Sequence, residues 1–420
     1  MKQYKELLQS IIENGTVKPA AREGMPSTTS LFGHQFRHNL SDGFPAITTK
    51  QLYWKGVVVE LLWFLKGDTH IKFLDENGVR KMWHEDAYNY YLKIANANLG
   101  TRANDIYYKN EDGSMRMFLF EEFCEIIKNH SLEQLKNQFR YNNYVIGDCG
   151  SQYGELWRNW EGIEATIFTV SDTLSPEHIR NFAEEWRKKS DKIGIFITDH
   201  NQDEMIKNKV SRVDQIQELI DGLKSNPMSR RHVITAWNPS TLDQMALNAC
   251  HAFVQFNCRP AYKEVKSGRI ISASLMANDK VSVQYGIQEI EQIYYLDCQM
   301  YQRSADVFLG VPLNIASYAL LTMILAQVCN MIPGDFIHTF GDVHIYENHL
   351  DAVNLQLSRE ERPLPTLRIK DSFEDKKYIW DQKIDKIIED LIVGGWEKIF
   401  QLENYNPHPA IKAKLSTGLK

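Results

Sequence analysis

Only six cysteines occur in 420 residues (Cys124, Cys149, Cys250, Cys258, Cys298 and Cys329), and they are scattered, with no CxxC pair and no metal-ligand spacing. That argues against a disulfide framework and against a metal site, and it suits a reducing compartment. Basic charge is not in excess either. The net charge is −6 with a pI near 6.1, so nothing calls for nucleic acid or an anionic membrane as a partner. No apolar run approaches the roughly 20 residues that span a bilayer. The opening segment Met1 to Leu8 is amphipathic and of mixed charge, without the apolar stretch of a signal peptide. No segment is low in complexity and no internal repeat is visible. These absences predict a soluble, cytoplasmic, globular protein with ample chain for a large core.

Helical spacing of apolar residues predicts helices over about Lys2 to Asn14, Trp54 to Lys66, Glu121 to Asn129, Pro176 to Lys188, Val213 to Ser225 and Asn314 to Val328, the last being the most apolar. Strand character runs through Leu31 to Leu40, Ile193 to Ile197, His232 to Trp237, Tyr295 to Met300 and Phe336 to Phe340. The region beyond Arg362 holds four prolines and reads as loop and edge strand. Three stretches change composition, at about 86–148, 162–209 and 260–292, the third reading as a hairpin or two. They are expected to be ordered insertions in one domain spanning 1–420.

Chemistry concentrates at Cys250 and His251, which end a short loop just before the apolar run Ala252 to Phe256. A thiol held at a strand end is rigid and reachable, although a free cysteine is more often a small buried hydrophobe. Glu60 sits within the apolar helix pattern of Val58, Leu61, Leu62 and Leu65. It is either paired with a nearby cation or donor, or an acid/base group whose pKa burial has raised. Arg22, the pair Arg230 and Arg231, and Arg303 beside Ser304 come from three separate segments, and the planar fork of arginine suits a phosphate. Adjacent arginines on a strand point to opposite faces, and a solvated basic pair is the plainer reading of Arg230 and Arg231. Asn314, His344 and Tyr346 offer hydrogen bonds to a heterocycle. Together these residues suggest a site for a small phosphorylated compound without naming it.

The blocks that carry these residues resemble thymidylate synthase of the folate-dependent, cysteine-using type. They are Ser30 to Gln35, Glu60 to Thr69, Tyr301 to Gly310, Asn314 to Leu321, Gly341 to Tyr346 and Tyr405 to Pro409, in family order across nearly the whole chain. The resemblance implies an α+β fold with a large mixed β-sheet, helices packed on one face and the sheet used in homodimerisation. It implies one-carbon transfer from 5,10-methylenetetrahydrofolate to C5 of dUMP, without a metal. On that reading Cys250 adds to C6 of uracil, helped by a nearby Arg303 whose charge favours thiolate. Glu60 orders water and relays protons, Tyr153 helps remove the C5 proton, and Asn314 reads the uracil amide edge. Arg22, Arg303 and Ser304 hold the phosphate, joined by Arg230 and Arg231 from the second subunit. His344 and Tyr346 hold the deoxyribose. Tyr53, Trp83 and Asp306 face the folate, with Asp306 also at the nucleotide.

Several positions depart from the family pattern. Ala249 replaces a usual proline, Leu156 a usual glutamine, and Tyr53 and Asp86 a usual folate-facing histidine and tryptophan. The family's short apolar C-terminal tail here becomes Lys414 to Lys420. Because these changes lie mostly on the folate and closure side, a dUMP hydroxymethylase stands as the alternative. In that enzyme water rather than hydride completes the reaction.

Overall fold

The computed structural model describes residues 1–20, 24–80, 82–98, 104–169, 193–198, 204–264, 290–369 and 383–414. The expected helix at 176–188 and the position of Arg22 lie outside these. Six strands form one mixed sheet: β1 (Thr16–Lys18), β2 (Thr28–Asn39), β3 (Val233–Thr235), β4 (His251–Glu264), β5 (Ile290–Asp306) and β6 (Ile332–Tyr346). Their order is β1-β2-β6-β5-β4-β3, antiparallel throughout except for the central parallel pair β5 and β6. A parallel pair needs a long crossover, and here the connection is a helix of 19 residues, Gly310–Val328. The chain is thus α+β with a large mixed sheet, as expected.

Taken in chain order, the helices that position the site are α1 (Lys2–Asn14), α2 (Trp54–Leu65), α3 (Tyr153–Arg158), α4 (Gln215–Ser225) and α5 (Gly310–Val328). The α5 helix is apolar nearly all round because it is covered nearly all round, by β5, β6 and α2. By length and composition alone it matches a membrane span, but most of it is buried inside the fold. One face of the sheet carries this core, including Phe256, Cys298, Met300, Phe336 and Phe340. Across the other face, Thr235 pairs with Phe253, Phe253 with Tyr301, and Tyr301 with Thr339. Phe253 is 41% exposed and Tyr301 38%. Gln35 and Gln299 both donate to the Thr339 hydroxyl there, at 2.8 and 3.2 Å. This face is open in the single chain.

The stretch after α2 folds as helices at His84–Ala97, Phe120–Asn129 and Leu132–Gln138. Phe118, Phe123 and Ile127 join the same buried cluster as α2 and α5. The strands Trp160–Thr169, Ile193–Thr198 and Glu204–Val213 make a separate three-stranded sheet. Within 260–292, β4 and β5 extend the main sheet as paired antiparallel strands up to Glu264 opposite Ile290, and residues 265–289 lie outside the described ones. The region past Arg362 differs from the expectation of loop and edge strand. It holds helices at Ile384–Val393 and Trp396–Ile399 between the paired strands Thr366–Ile369 and Phe400–Glu403. Ile384, Ile387, Ile388 and Leu391 are buried at helical spacing, while the prolines that suggested loop stand outside the helices, at 363, 365, 407 and 409.

Candidate active site

Two loops docked side by side build the floor around Cys250. The segment leading into α3 meets the segment leading into β4 through Ser151 N–H to Gln244 O (3.1 Å) and Ala246 N–H to Cys149 O (2.9 Å). The Gln152 amide adds a bond to Leu247 O at 3.1 Å. Gly150 makes this approach possible. Its φ is +71°, and a Cβ there would lie 1.9 Å from Gln244 O. Just past Cys250 the β4–β5 register shifts between His251 and Phe253. Such a bulge locally bends a strand and re-aims its side chains.

Arg303 on β5 fastens the loop. Its backbone N–H donates to Cys250 O at 2.9 Å, and its guanidinium donates to Ala249 O at 2.8 Å and Asn248 O at 2.6 Å. The cation also stacks 5.1 Å from the Trp237 ring. Arg303 does draw the Cys250 thiol toward ionisation, as expected of a nearby cation. Burial outweighs it, however, and with Asp86 adding to the upward pull, the thiol pKa lies above its ordinary value. The expected pull of Arg303 is thus present, but burial keeps Cys250 on the thiol side until a ligand binds.

Tyr153, at the start of α3, couples the two loops at atomic level. Its hydroxyl oxygen accepts from Cys250 N–H (2.7 Å) and His251 N–H (3.2 Å), which leaves its own proton to donate. Burial pushes its pKa up, so it stays protonated and carries no phenolate to act as a base by itself. The Tyr153 ring packs 4.7 Å from Phe64 and 6.2 Å from Trp83. Trp83 donates its indole N–H to Glu60 Oε1 at 2.7 Å. Glu60 is buried in α2, and burial raises its pKa from 4.5 to about 7, with the Trp83 bond pulling the other way. No cation pairs with it among the described residues; the Trp83 indole is its donor, and the raised pKa fits the acid/base reading beside it.

Asn314, on the second turn of α5, is also buried. Its Oδ1 accepts from Gln302 Nε2 at 3.1 Å. Gln302 Nε2 donates as well to Ser304 O (3.1 Å), and Gln302 Oε1 lies 2.9 Å from His338 Nε2. His251 lies against Tyr153 and Tyr318, with ring centroids 5.2 and 5.3 Å away. It also bonds the Asn314 side chain, and burial lowers its pKa to about 4. It is neutral at pH 7, so the Cys-His juxtaposition is not an ion pair.

A second group gathers where β5 and β6 end. Ser304 pairs with Asp342, and Asp306 with His344. His344 Nδ1 lies 2.8 Å from Asp342 Oδ1, and that bond, helped by Lys18, holds the Asp342 carboxyl down at about 2. Tyr346 meets the His344 ring edge-on at 5.0 Å. Asp306 Oδ1 accepts from Phe308 and Leu309 N–H at 2.9 and 3.1 Å. Lys50 bonds Phe308 O and sits over the Phe308 ring at 3.5 Å. Burial lowers its pKa to about 7, against the pull of Asp306. His349 Nδ1 lies 3.9 Å from Asp306, and its Nε2 bonds Lys414 O at 2.8 Å. The C-terminal segment is thereby seated next to Asp306, with Ile411 and Ala413 packed on the core.

Other expected site residues stand apart. Arg230 and Arg231 are exposed before β3. Val233 pairs with Gln255, so these arginines lie roughly 17 Å or more along β4 from Cys250. They do not join the pocket of their own chain. Tyr53, just before α2, is 43% exposed and its ring abuts Gly56, where a Cβ would meet it at 2.4 Å. A cavity of about 540 Å³ between α4 and β3 includes Arg231 and none of the residues gathered around Cys250.

Sequence reading missed Gln302, His338, Lys50 and His349 as members of the site. Gln302 adjoins an arginine already singled out and alternates with buried Met300, a detectable signal. No local pattern marks the other three. A protein-family model described as thymidylate synthase matches residues 2–417.

Proposed function

The chain belongs to the thymidylate synthase family, whose members transfer a one-carbon unit from methylenetetrahydrofolate to dUMP, and we propose that this member makes dTMP and dihydrofolate. The observation that carries the reading is the chain of contacts that links Cys250 to Tyr153 and to Arg303, Tyr153 through Trp83 to Glu60, and Tyr153 through His251 to Asn314. Cys250 Sγ bonds to C6 of the uracil ring, and C5 gains carbanion character. The thiol proton must leave as dUMP binds, and Arg303, already beside the loop, favours that loss. Glu60, titrating near neutrality, both gives and takes protons at the working pH. Its partner near C5 is Tyr153, whose free O–H joins a relay rather than acting as a strong base. Asn314 meets the uracil amide edge, His344 and Tyr346 the sugar, and Arg303, Ser304 and Arg22 the phosphate.

The residues present also fit a folate. Tyr53 and Trp83 offer planar surfaces, and Asp306, with one oxygen engaged by backbone N–H groups, keeps another for the N–H donors of a pterin. The folate supplies the one-carbon unit and, for a methyl product, the hydride. Arg230 and Arg231, distant from their own Cys250, serve the pocket of a second copy across the open sheet face, so the active species is a homodimer. We place it in the cytoplasm, where its six free thiols persist.

The hydroxymethylase reading rests on Tyr53, Asp86, Ala249 and the altered tail. Against it stands the seating of residues 411–414 beside Asp306, which supports closure over the site. The test is turnover of dUMP with methylenetetrahydrofolate, following dihydrofolate and weighing the nucleotide. Dihydrofolate in step with a methylated product upholds the proposal. A hydroxymethylated product without dihydrofolate replaces it with the alternative.

A further inference from the structure

The cavity of about 540 Å³ between α4 and β3 is lined by groups that the reaction at Cys250 does not use. β3 is the edge strand of the main sheet. There the Gln215 amide is already engaged, donating to Thr235 O and accepting from Thr235 N–H, both at 2.9 Å. His232 is different. It lines the cavity and is only 3% exposed. Its Nε2 lies 3.0 Å from Asn226 O and 3.2 Å from Pro227 O. Both are carbonyls and only accept, so in the neutral ring Nε2 carries the proton and Nδ1 presents a lone pair. Nδ1 has no partner among the described residues. A buried acceptor left bare is costly, and this one borders space enough for a ligand.

Gly222, another lining residue, keeps that atom reachable. A Cβ there would lie 3.3 Å from both Nδ1 and Cε1 of His232, and a glycine inside a helix otherwise costs stability. Glu218 stands one turn earlier on the same face of α4. Arg231 joins from the other side, just before β3. Neither charge has an ion pair among the described residues. The Trp160 indole completes the set, on the first rung of the separate three-stranded sheet, where Trp160 pairs with Val213.

We propose that this cavity is a regulatory site for a nucleotide whose base carries an amino group, and that filling it withdraws Arg231 from the dUMP phosphate in the partner subunit's pocket. A phosphate suits the Arg231 guanidinium, and a base suits the Trp160 ring. The N–H groups of an amino substituent are donors, which the bare His232 Nδ1 and the Glu218 carboxylate accept. A base with a carbonyl at that place would meet two acceptors and be rejected. One guanidinium does not serve two phosphates, so the ligand opposes dUMP without entering the Cys250 pocket. The regulatory half rests on the reading of the chain as a dUMP enzyme with Arg231 shared between subunits; the binding half does not.

The probe is dAMP, whose two-ring base a uracil site does not accept, and the control is dIMP, which has a carbonyl in place of the amino group. Calorimetry on the full chain compares wild type, Glu218→Ala, which changes an exposed side chain, and Gly222→Leu, which fills the space beside His232 Nδ1. Wild type should bind dAMP at least tenfold more tightly than dIMP, and each variant should weaken dAMP at least tenfold. In turnover, dAMP should raise the wild-type KM for dUMP at least fivefold with kcat unchanged. E218A should turn over dUMP like wild type and ignore dAMP. No dAMP binding at about 1 mM, equal binding of dIMP, or unweakened binding in E218A overturns the site. Binding without a change in KM, or inhibition that persists in E218A, overturns the link to Arg231. Binding of dAMP by a wild type that never turns over dUMP sinks the dUMP reading and the regulation with it, and leaves the site standing.

Discussion

Replacing Glu60 by glutamine isolates what burial does to the central acid/base group. The substitution keeps the volume and keeps an oxygen to accept the Trp83 indole N–H, now 2.7 Å away. In the folded protein Glu60 titrates near 7 rather than 4.5, with burial as the main cause. Moving a carboxyl across that interval corresponds to about 3 kcal/mol between its two protonation states. Between pH 4.5 and 7 the unfolded chain has lost this proton while the folded chain keeps it. The folded state thus binds more protons, and its stability falls as pH rises. The contribution is fully present below the unfolded value and is gone above the folded one. Relative to wild type, E60Q should gain stability across the window, by roughly 1.4 kcal/mol per pH unit, and level off about 3 kcal/mol higher by pH 8. Urea unfolding of both proteins from pH 4.5 to 8.5 measures this difference, in which the shared histidines cancel. Turnover of E60Q should fall at least about a hundredfold, because the group that moves the proton is gone. Parallel stability curves would falsify the raised pKa, and wild-type turnover would remove Glu60 from the chemistry.

Cys250→Ala should abolish turnover while dUMP still binds, and calorimetry with dUMP alongside the turnover assay separates the two. Substantial residual turnover would refute the nucleophile assignment. Tyr153→Phe leaves two N–H groups, at Cys250 and His251, without their acceptor. It should cost about 2 kcal/mol in urea unfolding and slow turnover more than tenfold; a neutral effect on both would show that the hydroxyl does not hold the loop. Asn314→Asp should weaken dUMP and strengthen dCMP, read as competing Kd values, because a carboxylate repels a C4 carbonyl and accepts from an amino group. Unchanged selectivity would count against base reading by Asn314.

Periodicity made α1, α2 and α5 legible because each buries one continuous apolar surface, and the observed ends fall within a few residues of those expected. Strand cores were legible too, but not their lengths. β5 was expected as Tyr295 to Met300 and runs Ile290–Asp306, because polar Gln302, Arg303 and Ser304 belong to the sheet through site hydrogen bonds rather than apolar alternation. The helix Ile384–Val393 was lost among flanking prolines. In the site, residues that face substrate on the family reading were legible by type, since arginine, cysteine and a buried carboxylate announce their chemistry. Residues that orient them were not. His338 belongs to a strand that reads as core, and its contact with Gln302 exists only because β6 lies beside β5, a pairing between positions 36 residues apart. At Cys250 only one side of the balance was legible. The attraction of Arg303 is visible in the chain, while the burial that outweighs it is a property of the fold.

The two sides of the pocket are controlled by different parts of the structure, which bears on the choice of product. The nucleotide side is set by bonds within the sheet and α5: Arg303 to the Cys250 loop, Gln302 to Asn314, Asp342 to His344. These are buried or half-buried and independent of any mobile closure. The side proposed for the folate is set by long-range contacts around Asp306, where Lys50, His349 and the backbone at Lys414 meet. On the proposed function, recognition of dUMP and formation of the Cys250 adduct therefore tolerate changes in the tail. The final reduction does not, because water competes with hydride wherever closure is incomplete. On the proposed function, loss of the His349–Lys414 contact shifts the product from methyl toward hydroxymethyl, whereas Asp86, which adds to the upward pull on the Cys250 thiol, and Ala249, whose carbonyl holds Arg303, bear on the adduct step as well.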